Sequence, residues 1–324
     1  MELIRDADID PAPLAGKRVA ILGYGNQGRA QALNLHDSGI DVVVGLRGGS
    51  GSTFEAEAAG LMTAFVEDAV SSADVIMMLA PDEIHATLYR EIEPDMRQGA
   101  ALGFSHGLSV RFGFIEPRTD LDIFLLAPKG PGTALRALYT EGKGMLAAWA
   151  VGQDATGNAE GIALAYGGAI GCGRAGLIAT SFAEEAEADL FNEQAVVWGA
   201  VPELLIAGFE TLVAGGVSPE LAYLECVGEL KLLADLIEAR GIAGMREVIS
   251  NTAELGALLG GKRIVDESVR ARMAEVLQEV RAGRFAEQLS KEEADGYPRL
   301  EKAREENRRT PIEETYRRLS DAER

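Results

Sequence analysis

Two pairs of carboxylates stand out in the second half of the chain. Asp189 and Glu193 lie four residues apart in EADLFNEQAV, and Glu225 and Glu229 lie four apart in AYLECVGELKLLADLI. On a helix each pair shares one face. Each also continues an apolar stripe: Glu225, Glu229, Leu232 and Leu236 keep helical spacing, as do Asp189, Glu193, Val196 and Ala200. No Lys or Arg follows four residues downstream, and like charges at that spacing repel unless a cation lies between them. Buried carboxylates are costly unless they are paired or metal-bound. Four acids without a histidine suit a hard, oxygen-preferring ion, Mg²⁺ ahead of Zn²⁺. A solvated acidic face is the plainer alternative.

A second chemical motif lies near the start. Gly23-Tyr24-Gly25-Asn26-Gln27-Gly28 is a GxGxxG loop that follows the apolar run KRVAIL and opens the helical pattern GRAQALNLHDSG. The glycines permit a tight turn and close backbone approach, and the helix N-terminus receives a pyrophosphate. The next strand ends at Arg47, where an NAD enzyme usually places an acid for the ribose 2′-hydroxyl. Here no acid appears before Glu55; Arg47, Ser50 and Ser52 come instead. A guanidinium and two hydroxyls suit a 2′-phosphate, so NADPH is the expected cofactor.

These groups need a framework. Lys17–Leu22, Asp41–Val44, Val75–Leu79, Ala100–Phe104, Ile123–Leu126 and Met145–Val151 read as buried strands with helical stretches between several of them. That alternation predicts an α/β, doubly wound, Rossmann-like parallel sheet over residues 1–180. After it, Glu184–Ala200, Val201–Ala214, Pro219–Ala239 and Asp266–Ala282 read as helices, so residues 181–324 form an all-α domain. The 324 residues suit two domains at roughly 150 residues each. Net charge is −20, with 51 acids against 31 bases, which disfavours nucleic acid and anionic membrane as partners. No unbroken run of 18 apolar residues occurs, so no membrane span is expected. The acidic start MELIRDADIDPAPLAG lacks an apolar signal core, and Cys172 and Cys226 read as reduced thiols; both point to the cytoplasm.

Two strand ends carry further candidates: Phe104-Ser105-His106-Gly107 and Ala127-Pro128-Lys129-Gly130-Pro131-Gly132. Ligands of open α/β sheets bind outside the carboxyl ends of the strands, so His106 and Lys129 fall at the cofactor crevice. With these segments in view, the chain resembles the short-form (class I) ketol-acid reductoisomerases over nearly its whole length. The resemblance is carried by GYGNQG, VVVGLRGGSGS, PDEI, FSHG, APKGPG, RAG at Arg174–Gly176, EADLFNEQAV, AYLEC with ELKL, and ISNTAE at Ile249–Glu254.

The resemblance implies two Mg²⁺ ions held by Asp189, Glu193, Glu225 and Glu229, with the last two supplied by the partner in a homodimer. It implies that Ser250 holds the substrate carboxylate, that His106, Lys129 and Glu229 are catalytic, that Gly132 belongs to the cofactor site, and that the helical domain is knotted. The implied reaction is alkyl migration in a 2-hydroxy-2-alkyl-3-oxo acid such as 2-acetolactate, then NADPH reduction, in valine and isoleucine biosynthesis. The sequence departs from the family pattern at Thr133, Ala188, Asn192, Gly228, Leu255 and the charged end LSDAER. A sibling enzyme with an altered substrate and a non-catalytic NADP-binding relative are the alternatives these departures raise.

Overall fold

Along the first strand, side chains alternate between two covered faces. Val19 and Ile21 pack into one apolar cluster, and Ala20 and Leu22 into another, the period-two pattern of a sheet buried on both sides. The computed structural model describes residues 3–322. Its strands are β1 (Arg18–Leu22), β2 (Asp41–Leu46), β3 (Met62–Phe65), β4 (Val75–Met78), β5 (Ala101–Phe104), β6 (Asp122–Pro128), β7 (Ala147–Gln153) and β8 (Leu177–Ala179). They form one sheet in the order β3-β2-β1-β4-β5-β6-β7-β8.

Helices cover both faces. On one lie α1 (Asn26–Asp37) and α2 (Ser52–Ala58), whose Leu35 and Ala56 join the cluster of Val19 and Ile21. On the other lie α3 (Val66–Ser72) and α4 (His85–Ile92), whose Val70 and Ile92 join that of Ala20 and Leu22. The helices α5 (Leu108–Arg111), α6 (Gly132–Thr140) and α7 (Ala159–Ala169) follow. This is the expected doubly wound Rossmann-like class.

The six strands read from sequence are all present. Two more, β3 and β8, are short: β3 is partly exposed at the sheet edge, and β8 spans three residues. The sheet is parallel except between β6 and β7, which pair antiparallel with Pro128 opposite Ala147. The connection explains the reversal. The Lys129 amide bonds to the Leu146 carbonyl at 2.8 Å, so the chain leaves β6, makes helix α6 and returns beside its own exit.

The chain divides into two compact units, residues 1–188 and 189–324. Helix α8 (Phe182–Ala195) contains the division. The second unit continues with α9 (Ala200–Ala214), α10 (Pro219–Tyr223), α11 (Leu230–Val248), α12 (Asn251–Ile264), α13 (Glu267–Arg281), α14 (Arg284–Ala294), α15 (Pro298–Asn307) and α16 (Pro311–Ala322). Caps fix several starts: the Ser218 hydroxyl accepts from the Leu221 amide, and an Asp266 oxygen accepts from the Ser268 and Val269 amides.

The helix expected over Pro219–Ala239 is interrupted. A π-helical turn occupies Leu224–Gly228, and Gly241, at φ +67°, breaks α11 farther on. Glycine tolerates that positive φ, whereas side chains resist it. The buried cluster Phe209, Ala222 and Ile312 is small. Large apolar side chains lie open to solvent, among them Trp198, Leu232, Leu258 and Leu259. By length and composition, Phe182–Ala214 contains an apolar stretch that could cross a membrane. The expectation of no span counted only unbroken apolar runs, and here a turn over residues 196–199 separates α8 from α9.

Candidate active site

The GxGxxG glycines occupy the turn from β1 into α1, each for a different reason. Gly23 has φ +100°, and a Cβ there would press on the Leu79 carbonyl oxygen at 2.7 Å. A Cβ on Gly25 would meet nothing within 4 Å, which leaves open space where a pyrophosphate can approach the backbone. A Cβ on Gly28 would overlap the Gly23 carbonyl, so its absence lets α1 start against the strand. A cavity of about 660 Å³ opens above this turn. Gly23, Tyr24, Gly25, Asn26 and Gln27 line it, together with Arg47, Ser50 and Ser52 and with Leu79 to Pro81 and Ile84. Among the described residues no carboxylate lines it, and Glu55 lies instead 3.7 Å from Arg29. The volume and mixed lining fit a nicotinamide dinucleotide.

Gly28 and Gly132 stand outside that lining. A Cβ on Gly132 would overlap the Asn26 carbonyl, so this glycine lets the N-terminus of α6 close on that of α1. The approach is pinned by the Thr133 amide, which donates to Asn26 Oδ1 at 3.0 Å, and by Gln27 Nε2, which donates to the Gly130 carbonyl at 2.8 Å. Gln31 Nε2 donates in turn to Ser105 Oγ at 3.0 Å, and Tyr166 donates to Gln31 Oε1 at 2.8 Å. The cofactor turn is thereby tied to the exits of β5 and β6.

At those exits stand Lys129 and His106. The Lys129 ammonium donates to Glu185 Oε1 at 2.6 Å, and Glu185 Oε2 accepts from the buried Gly107 amide at 2.8 Å. Glu185 therefore joins the β5 exit to the β6 exit through one carboxylate whose side chain is 1% exposed. A Cβ on Gly107 would overlap the Phe182 carbonyl, which shows how closely the β5 exit packs against the start of α8. The sequence reading missed Glu185. The signal was available: Glu185, Asp189 and Glu193 recur every four residues along one helix. His106 Nδ1 lies 3.9 Å from Asp82 Oδ2.

Asp189 and Glu193 lie on α8. Glu225 lies in the π-helical turn, and Glu229 directly follows it. Such π turns occur often at functional positions. Among the described residues, no three His, Cys, Asp or Glu side chains gather where they could hold one metal ion. The donor chemistry suits Mg²⁺, and among the described residues the two pairs do not come together as one set of ligands. Ser250 is the N-cap of α12, its hydroxyl accepting from the Ala253 amide at 3.2 Å. Arg246 before it in the chain and Asn251, Glu254, Leu255 and Leu258 after it line a cavity of about 230 Å³. Cys172 and Cys226 are free thiols, and burial pushes the Cys172 pKa up to about 12, which keeps it protonated.

A glycine-rich dinucleotide cradle, with a lysine and a histidine at the exits of neighbouring strands, defines a nicotinamide-dependent oxidoreductase of the Rossmann type. The sequence narrows the class. Residues 13–176 match the family described as acetohydroxy acid isomeroreductase, NADPH-binding domain, and residues 182–323 match ketol-acid reductoisomerase, C-terminal domain. The chain belongs to the ketol-acid reductoisomerase family. It is similar to the solved structure of an NADH-preferring ketol-acid reductoisomerase from an uncultured archean, at 40% identity and TM-score 0.96, covering 99% of each chain. Two more distant structures share the fold: a semialdehyde dehydrogenase NAD-binding protein from Cupriavidus necator (18% identity, TM-score 0.62, 82% of this chain and 99% of that one), and 1-pyrroline-5-carboxylate reductase from Streptococcus pyogenes (15%, 0.54, 82% and 98%).

Proposed function

We propose that the chain converts a 2-hydroxy-2-alkyl-3-oxo acid such as 2-acetolactate into a 2,3-dihydroxy acid, with NADPH as reductant, in the branch that supplies valine and isoleucine. Family membership supports the reaction class. The cofactor choice rests on one observation: among the described residues, Arg47, Ser50 and Ser52 line the dinucleotide cavity and no carboxylate does. The similar archaeal enzyme is described as NADH-preferring, so the family uses both cofactors, and the loop after β2 is where this chain would make its choice. Arg47 offers bidentate hydrogen bonds to a 2′-phosphate, and the two serines add hydroxyl donors.

Asp189 and Glu193, with Glu225 and Glu229 from a second copy, would hold Mg²⁺. When bound, the metal neutralises charge developing on the adjacent substrate oxygens. The protein's own groups do the rest. Ser250, at the N-terminus of a 14-residue helix, receives the substrate carboxylate. Lys129, fixed by Glu185, places a positive charge at the β6 exit beside the cofactor turn, and His106 orients polar groups at the β5 exit. Glu229 accepts and returns the proton of the substrate hydroxyl at its carboxylate.

Turnover of 2-acetolactate tests the reading. The purified protein should convert it with NADPH at higher kcat/KM than with NADH. Chelation should abolish the rearrangement reversibly while dinucleotide binding persists. No turnover of 2-acetolactate, with turnover of a bulkier analogue, would favour the sibling enzyme suggested by Thr133, Gly228 and Leu255.

A further inference from the structure

A second histidine lies beside His106 and takes no part in the reaction proposed above. His85, 2% exposed, begins α4 at the exit of β4. Its Nε2 lies 2.9 Å from the Ala80 carbonyl oxygen, and its Nδ1 lies 3.0 Å from the hydroxyl of Ser109, which is fully buried on α5. A carbonyl only accepts, so Nε2 carries the proton. Nδ1 then accepts from the Ser109 hydroxyl. Both ring nitrogens are satisfied by a neutral imidazole of one tautomer. Burial, the largest influence, pushes the His85 pKa below its usual value, in agreement with a neutral ring. The groups acting on it electrostatically are Asp82, His106 and Glu83, and the Phe104 ring lies 6.0 Å away.

The two anchors of this ring belong to two different strand exits. Ala80 lines the dinucleotide cavity together with Pro81 and Ile84. Ser109 follows His106 by three residues. Between them, Asp82 places one carboxylate oxygen 3.6 Å from His85 Nδ1 and the other 3.9 Å from His106 Nδ1. We propose that His85 is a positioning residue: it clips the Ala80–Ile84 turn to the His106–Ser109 turn, so that Asp82 faces His106 while Pro81 and Ile84 face the dinucleotide. The clip needs a donor toward Ala80 and an acceptor toward Ser109 at fixed separation. Glutamine can supply both; an apolar residue of similar volume supplies neither. The role assigned to His106 rests on the proposed function, but the clip itself is testable without turnover.

The chain contains three histidines, His36, His85 and His106, so imidazole ¹⁵N resonances of the full-length protein can be assigned by substitution. In the unmodified protein His85 should show the Nε2–H tautomer. His85→Leu should shift the His106 resonances, weaken NADPH binding and lower kcat/KM at least tenfold. His85→Gln should return all three most of the way. Ser109→Ala, which removes one end of the clip, should fall between. A merely packed side chain would give the reverse order, with Leu tolerated and Gln not. If His85→Leu does not fold, Ser109→Ala and His85→Gln decide the question. An Nδ1–H tautomer for His85, or Ser109→Ala with His106 resonances and NADPH affinity unmoved, overturns the proposal. Loss of 2-acetolactate activity in the unmodified protein, with these spectroscopic results intact, would instead indict the functional reading alone.

Discussion

Replacing Glu185 by Gln tests whether one buried carboxylate organises the two strand exits. The carboxylate accepts from two donors, Lys129 Nζ at 2.6 Å and the Gly107 amide at 2.8 Å. An amide of the same shape has one acceptor oxygen, so one of these donors must face its NH₂. The choice follows from burial. The Gly107 amide is enclosed, and leaving it unpaired costs about 1–3 kcal/mol. The Lys129 side chain is 40% exposed and can turn to water. The glutamine oxygen should therefore keep Gly107 and give up the bond from Lys129 Nζ. Stability should fall by only about 0–1 kcal/mol, because the lost pair is partly solvated. Turnover should fall roughly 100-fold, the cost of misplacing a group by about 1 Å. Glu185→Leu removes both acceptors, strands the Gly107 amide and should lose about 1–3 kcal/mol in addition. Urea unfolding read by circular dichroism, NADPH titration and 2-acetolactate turnover separate these effects. A Glu185→Gln variant with unchanged kcat would refute the reasoning, as would a Glu185→Leu variant as stable as the Gln variant.

Four further outcomes are expected. Ser50→Asp with Ser52→Asp should turn the cofactor preference toward NADH, since each carboxylate near a 2′-phosphate repels by about 1–3 kcal/mol; kcat/KM for both cofactors checks this, and an unchanged ratio contradicts it. Glu225→Gln should reduce rearrangement by more than the roughly 10- to 100-fold that outer-shell changes cost, with NADPH affinity nearly unchanged because the dinucleotide cavity is lined by residues 22–88. Sedimentation should show a dimer or larger assembly, given exposed Trp198, Leu232, Leu258 and Leu259; an active monomer at assay concentration would contradict it. His85 has a pKa below 6.5 when folded, so the unfolded chain binds its proton first as pH falls. The His85 contribution is complete above pH 6.5 and is lost as pH drops through that value, with a slope of up to about 1.4 kcal/mol per pH unit. His85→Gln should flatten this slope in urea unfolding across that range.

Local rules sufficed for much of this protein. A strand followed by GxGxxG and a helix can close in few ways, because Gly23 must take a positive φ and Gly28 must meet a carbonyl. The loop from Arg47 to Ser52 lies beside that turn because β1 and β2 pair directly. Four-residue spacing put Asp189 and Glu193 on one helix from periodicity alone. What depended on three dimensions was every relation between strand exits. Glu185 looks like one acid among several in FAEEAEADLF; only the packing of α8 on the β5 exit makes it the shared acceptor of Lys129 and Gly107. Gly132 reads as part of a loop, and its function as a contact point between two helix N-termini appears only when α6 closes on α1. The return of β7 beside β6, the π turn that holds Glu225 and ends just before Glu229, and the clip made by His85 likewise leave no periodic trace. Each depends on partners more than twenty residues away or on backbone hydrogen bonding that side-chain patterns do not encode. Periodicity reports which face of an element is buried, and tertiary packing decides what that face meets.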